Sequence, residues 1–317
     1  MSPRRIQTGA AALLAALCLG CRPDASPPAV VFLPVVGNHD ITAGQGENAA
    51  YIRGPMLAEL AGLGAARYDD VGANYVFDWR NARFIVVDQY AWGDLRGRID
   101  ARGLAWVESA IRSAGTAEHV FVVFHEPAFP RVRHVGDSFD FFREDRDAFW
   151  AMLVRHRGKV RAVLSGHTHY LGLLQIGDPS RPRNDLPHED GIHQVDCGST
   201  HRRDRVVFRV AGPAVFCHAI TNGVVAGTWA VNSEREAPDG AWAFGAVSDP
   251  QWGTPKFREM LERTRDNRDP EIPGLPRVEL VLCPGDLVPA ADHHAVFREV
   301  FGTGPGEPGG ATAKEKP

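Results

Sequence analysis

The stretch "AVVFLPVVGNHD", residues 29–40, runs apolar for most of its length and then turns polar. It is Val-rich and lacks clean alternation, the pattern of a β-strand buried on both faces. Its last residues place Asn38, His39 and Asp40 in the loop that follows. Four other segments share this design. "HVFVVFHEP" reaches His125, "KVRAVLSGHTH" ends at His167 and His169, "AWAFGAVSDPQ" at Asp249 and Gln251, and "VELVLCPGD" at Asp286. In α/β sheets, ligands bind outside the carboxyl ends of such strands. The five runs therefore predict an α/β fold with five polar loops on one rim.

Each ending alone is weak, because an Asp after a strand is usually a turn former and a lone His there is usually just hydrogen-bonded. The set is stronger. Three His, two Asp, one Asn and one Gln suit a hard-to-borderline metal cluster. In "GHTH", residues 166–169, two imidazoles one residue apart can serve two neighbouring metals.

The chain has 317 residues, enough for one large α/β domain or two small ones. Hydrophobic residues make up 44% and charged residues 23%, a globular balance. The net charge of −4 provides no basic field for nucleic acid, so no nucleic-acid binding is expected. Helical spacing marks "ARGLAWVESAIRSAG", "REDRDAFWAMLVRHRG" and "TPKFREMLERTRD". "NYVFDWRNARFIVVDQY" reads as a hairpin turning at Arg80–Asn81, "RVVFRV" as a further short strand, and "AVFCHAITNGVVAGTWAVN" as strands joined by an Asn-Gly turn at 222–223. Residues 177–190 form a polar, Pro-bearing loop, and 303–317 have the composition of a disordered tail.

The loops resemble the calcineurin-like metallophosphoesterases. The family order is Asp-x-His, Gly-Asp, Gly-Asn-His-Asp/Glu, a lone His after a strand, then Gly-His-x-His. This chain carries the last three in order, as "GNHD" at 37–40, "FHEP" at 124–127 and "GHTH" at 166–169. The first two stand instead near the other end, as "SDPQ" around Asp249 and "PGD" at Asp286, with Gln251 where the family has His. The resemblance thus implies a circularly permuted, four-layer α/β/β/α sandwich over residues 29–302. Its expected helix after Gly-Asp is "HHAVFREVFG", and residues near Gly302 and Pro28 should be neighbours.

By the same resemblance, Asp249, Gln251, Asp286 and His169 hold one metal, and Asn38, His125, His167 and Asp286 hold the other, with Asp286 bridging. The two divalent or trivalent ions (Fe, Mn or Zn) would share a hydroxide that attacks a phosphomono- or phosphodiester. His39 would be the general acid, with Asp40 orienting its imidazole. The expected substrate is a small-molecule or cell-envelope phosphoester. A different class of function stays open: a binding module that keeps the fold but lacks a complete metal site. Arg131, Arg133, Arg202 and Arg203 read as solvated surface residues.

Residues 1–28 read as a leader and linker. Arg4 and Arg5 precede "GAAALLAALCLG", an apolar run too short to span a bilayer comfortably, and then Cys21. This resembles a bacterial lipoprotein signal in which Cys21 is lipidated, although Cys18 stands where Leu is usual. A plain secretory signal and a cytosolic N-terminus are the alternatives. The expectation is an exported protein, periplasmic or membrane-anchored. After Cys21 remain Cys197, Cys217 and Cys283, an odd number that cannot form a full disulfide framework. Cys197 and Cys217 are either a bridge or buried thiols acting as small apolar residues.

Overall fold

Period-two alternation sorts the apolar strands between two cores. Phe84 and Val86 join one core while Ile85 and Val87 face the other; Phe121 and Val123 join the first while Val120, Val122 and Phe124 face the second. A strand with both faces buried must lie inside a layered structure. The computed structural model describes residues 30–302 apart from 43, 45, 70, 93–95, 180–190, 238–239, 267–271 and 273. The expected leader, the 303–317 tail, most of the 177–190 loop and Pro28 lie outside the described residues.

The first part of the chain gives β1 (Val31–Pro34), short helices α1 (Asn38–Ile41), α2 (Gly46–Tyr51) and α3 (Leu57–Gly62), and β2 (Ala66–Arg67). The hairpin β3 (Tyr75–Trp79) and β4 (Ala82–Val86) turns at Arg80, where φ is +55°. Then come α4 (Ala101–Arg112), β5 (His119–Val123), α5 (Ser138–Phe141), α6 (Arg143–Arg155) and β6 (Val160–Ser165). Asp100 caps α4 by accepting from the N–H groups of Arg102 and Gly103. β7 (Leu171–Ile176), β8 (Ile192–Cys197), β9 (Asp204–Ala211), β10 (Ala214–Thr221) and β11 (Val224–Ala230) follow. Asn222 and Gly223 have φ of +50° and +79°, the conformation an Asn-Gly hairpin turn requires. Last are β12 (Trp242–Ala246), α7 (Thr254–Asp266), β13 (Val278–Cys283) and α8 (Ala290–Phe301).

One sheet has six strands in the order β1-β13-β12-β9-β10-β11, the other seven in the order β2-β3-β4-β5-β6-β8-β7. The sheets pack face to face. Phe84 and Phe121 of one meet Phe208 and Phe244 of the other with ring centroids 4.9 to 5.5 Å apart. α7 and α8 cover the six-stranded sheet, where Phe32 stacks on Phe297 at 4.6 Å and meets Phe257 edge-on at 6.4 Å. α4 and α6 cover the seven-stranded sheet through Val107, Ile111, Phe149 and Trp150. The result is a mixed α/β sandwich of two multi-stranded sheets with helices outside.

β1, β13 and β12 run parallel in the first sheet, and β4, β5, β6 and β8 in the second. The five polar strand ends therefore come from both sheets and meet on a rim that the sheets share. Cys197, Cys217 and Cys283 are free and buried. Among the described residues no helix is long and apolar enough to cross a membrane.

Candidate metal centre

His125 is fully buried just past β5. Its Nδ1 lies 2.8 Å from the Pro284 carbonyl oxygen, which can only accept, so Nδ1 carries the proton. Nε2 is then a bare lone pair in the neutral ring. It faces Asn38 Oδ1 at 2.9 Å and Asp286 Oδ1 at 3.4 Å. His167 Nδ1 lies 3.1 Å from the same Asn38 oxygen. The neutral His125 ring thus turns an acceptor toward two oxygens in a buried space, an arrangement that costs free energy unless a proton or a cation sits between them. Imidazole nitrogen, carboxylate and amide oxygen suit a borderline divalent ion such as Zn²⁺, so the donor set fits a metal.

The adjoining half centres on Asp249. Both its carboxylate oxygens accept the His167 N–H, at 3.0 and 3.1 Å, and Ser248 Oγ donates to Oδ2 at 2.5 Å. His169 Nε2 lies 3.5 Å from Asp249 Oδ1. Gln251 donates its side-chain N–H to Asp286 Oδ2, so the amide oxygen, the only side-chain atom of Gln251 that can ligate, is not the one facing the carboxylate. Asp286 is therefore shared: Oδ1 faces His125, Oδ2 faces Gln251, and Oδ1 also accepts the His39 N–H at 3.0 Å. Donor atoms of His125, Asp249 and Asp286 all lie within 4.8 Å of one another.

The backbone is strained where these side chains leave it. His167, His169, Asp249 and Asp286 have φ of +65°, +53°, +50° and +59°. Left-handed backbone at a non-glycine residue costs on the order of 1 kcal/mol and persists where the surroundings enforce it, often at functional sites. Two glycines allow the loops to close in. A Cβ on Gly166 would sit 2.2 Å from Ser248 Oγ and 2.5 Å from Asp249 Oδ2, and one on Gly37 would sit 2.2 Å from Asp286 Oδ1. Glycine at these two positions is thus a steric requirement of loops from two sheets meeting.

The charges conflict. Burial pulls His125 down, but the carboxylates of Asp286 and Asp249 outweigh it and the ring ends above its ordinary range. Burial, with the charges of His125, His134 and His169, holds His167 far below the usual imidazole value and therefore neutral. Burial would raise Asp249, but its bond to His169 and the charges of His125 and His169 hold it below the usual carboxylate range. Asp286 is raised, by burial first and by Asp249, with His125 opposing. A cation between the two carboxylates would remove the repulsion that now lifts Asp286.

His39 is half-buried on α1, its ring edge-on to Trp252 with centroids 5.9 Å apart. The expectation that Asp40 orients the His39 imidazole is corrected. Asp40 is fully buried and accepts the Gly37 N–H at 2.8 Å, and its other oxygen has no hydrogen-bond partner. α1 is a single turn, and its third residue folds back to cap its own start. Burial, and then Asp286, push Asp40 up to about 8.

Several supporting residues escaped the sequence reading. "VVDQY", 86–90, has the same apolar-to-polar design as the other five runs, yet read only as a hairpin arm. Gln89 there donates to the Glu126 carbonyl at 3.1 Å and accepts the Glu126 N–H at 2.7 Å. Past β8, Thr200 Oγ1 donates to the Asp249 carbonyl at 3.2 Å, and His201 Nε2 lies 3.0 Å from the Gln251 carbonyl. Arg131 and Arg133 are exposed, and Arg203 is paired with Glu259 at 3.0 Å.

No family model matches the chain. Over 169 residues it is 20% identical to a protein of Psychrobacter arcticus named "Probable cyclic nucleotide phosphodiesterase". The match covers 51% of this chain and 57% of that protein, so the chain spans little more than half the length of that relative. The buried group of His125, Asp249 and Asp286 could bind a metal ion.

Proposed function

We propose that the chain is an exported dinuclear-metal phosphoesterase that hydrolyses phosphomono- or phosphodiesters. The observation that carries the reading is the position of Asp286, whose Oδ1 faces the His125 ring and whose Oδ2 accepts from Gln251, within a buried group of His125, Asp249 and Asp286 whose ligand atoms lie within 4.8 Å of one another. Asn38, His125, His167 and Asp286 would hold one metal; Asp249, Gln251, His169 and Asp286 the other. Metal held by these residues would supply Lewis acidity toward the phosphoryl oxygens and would lower the pKa of a water enough to provide a nucleophile at neutral pH. His39 stands beside this site, its backbone fastened to Asp286, and would give a proton to the leaving oxygen.

Circular permutation of the metallophosphoesterase order is part of the proposal. It is supported by the sheet order, in which β13 lies between β12 and β1 with all three parallel, and by Phe297 of α8 resting on Phe32 of β1. Export, periplasmic or with Cys21 as a membrane anchor, is part of the proposal and is supported by the leader composition. The relative's name makes a cyclic phosphodiester the first substrate to try, with an envelope phosphoester next. The test is metal analysis of the purified protein coupled to a panel of mono- and diesters. Metal-dependent turnover supports the reading; a metal-loaded protein that turns over nothing in the panel favours the binding module.

A further inference from the structure

β6 and β8 run parallel, and their starting ends, opposite the metal rim, border a cavity of about 610 Å³. That volume lies in the range of small-molecule sites. Its walls come from both sheets: Val160, Arg161 and His193 from the seven-stranded one, and Ala230 at the end of β11 with Val231 just past it from the six-stranded one. The charged groups that line it are Arg157 and Arg161 against the single acid Glu234.

Arg161 is aimed by an irregularity in its strand. The neighbours Val120 and Phe121 of β5 pair with Val160 and Ala162, so Arg161 is the extra residue of a bulge, a device that re-aims a side chain. Its Nε–H donates to His119 Nδ1 at 2.9 Å and its Nη2 to the Glu118 carbonyl at 3.2 Å. Arginine can only donate, so His119 carries its proton on Nε2 and gives it to the Gly212 carbonyl at 2.8 Å. Gly212 lies between β9 and β10, so the guanidinium is braced through His119 against the other sheet. Among the described residues Nη1 has no partner, and Glu234 and Glu118 act on Arg161 by charge alone. Burial outweighs them and pulls the guanidinium below its usual range.

His193 pairs with Ala162 across the β6–β8 ladder, one position on from Arg161. It is 7% exposed, and its ring makes no hydrogen bond among the described residues. Burial alone pulls its pKa down, so the ring is neutral and keeps one N–H to give. Buried donors without acceptors cost free energy, a charged one most of all. An oxyanion would accept from both.

We infer that this cavity is a second ligand site, taking a small organic anion whose carboxylate or phosphate group is held by Arg161 and His193 and whose apolar body lies against Val160 and Val231. It stands apart from the metal centre and does not rest on the phosphoesterase reading.

The test follows the His193 imidazole by ¹⁵N NMR while the full-length protein is titrated with benzoate and, separately, with inorganic phosphate. A saturable shift is expected with at least one; which one responds tells a carboxylate site from a phosphate site. Arg161→Gln should weaken that binding by at least about tenfold, the size of one charged hydrogen bond. Ala230→Trp, at an exposed position on the wall, should block binding without touching Arg161 or His193, and it decides the matter if Arg161→Gln does not fold. No saturable shift with either anion, or a shift that persists unchanged in Ala230→Trp, overturns the site.

Discussion

Asp249 accepts the backbone N–H of His167, 82 positions away, with both carboxylate oxygens, at 3.0 and 3.1 Å. One residue lies past β12 of the six-stranded sheet and the other past β6 of the seven-stranded sheet, so this contact fastens the two halves of the rim. Asp249→Asn would turn an amide NH₂ toward the His167 N–H or toward Ser248. A donor left unsatisfied in a buried site costs about 1–3 kcal/mol. We expect a melting temperature lower by several degrees together with loss of part of the bound metal. An unchanged melt would show that the carboxylate does not fasten the rim.

His39→Ala should lower kcat for esters with poor leaving groups by about 10²–10⁴-fold, the range of a positioned general acid. Esters with activated aryl leaving groups need less help and should suffer less. Metal content should stay near wild type, because the contact His39 makes with Asp286 runs through its backbone N–H. Metal lost together with activity would make the imidazole a ligand instead.

Trp252 is 58% exposed, has a φ of +49°, and stands edge-on to His39. A leaving group protonated by His39 would lie beside this ring. Stacking on an aromatic ring contributes about 0.5–1.5 kcal/mol. Trp252→Ala should therefore raise KM severalfold for aryl or nucleoside esters and leave that of methyl esters alone. Equal effects on both would argue that Trp252 only supports the loop.

Asp196 gives a pH signature away from the metal centre. Burial raises it to about 7, against donors from Ser165 and Gln194 and the charge of Arg131. Its folded value lies above the unfolded value of about 3.9, so it stays protonated in the fold while the unfolded chain ionises. Its contribution to stability is complete below about pH 4 and is lost as pH rises to about 7. Asn imitates the protonated acid and can still accept from Ser165 Oγ and Gln194 Nε2. Asp196→Asn should melt higher than wild type above pH 7, with the gap closing toward pH 4. A constant gap would mean that Asp196 ionises normally.

The sequence made the rim legible because the strands that carry it are buried on both faces and so read as apolar runs ending in polar residues. β8 was not legible for the opposite reason. "IHQVDC" is buried throughout, yet half of it is polar and made tolerable by tertiary hydrogen bonds, such as that of Gln194 with Phe129 at 2.9 Å. Nothing local announces such partners. The turn of Asp40 back onto Gly37 and the reach of Ser138 to His167 are likewise products of loop geometry, which residue types alone do not encode.

The most direct test of the central claim is the metal stoichiometry of wild type and Asp286→Asn, measured by elemental analysis beside phosphodiester turnover. If Asp286 joins two metal positions, the wild type binds two equivalents and hydrolyses only when loaded, and Asp286→Asn loses both metals and turnover together. A wild type that hydrolyses equally well without metal, or an Asp286→Asn protein that keeps two equivalents, would contradict it.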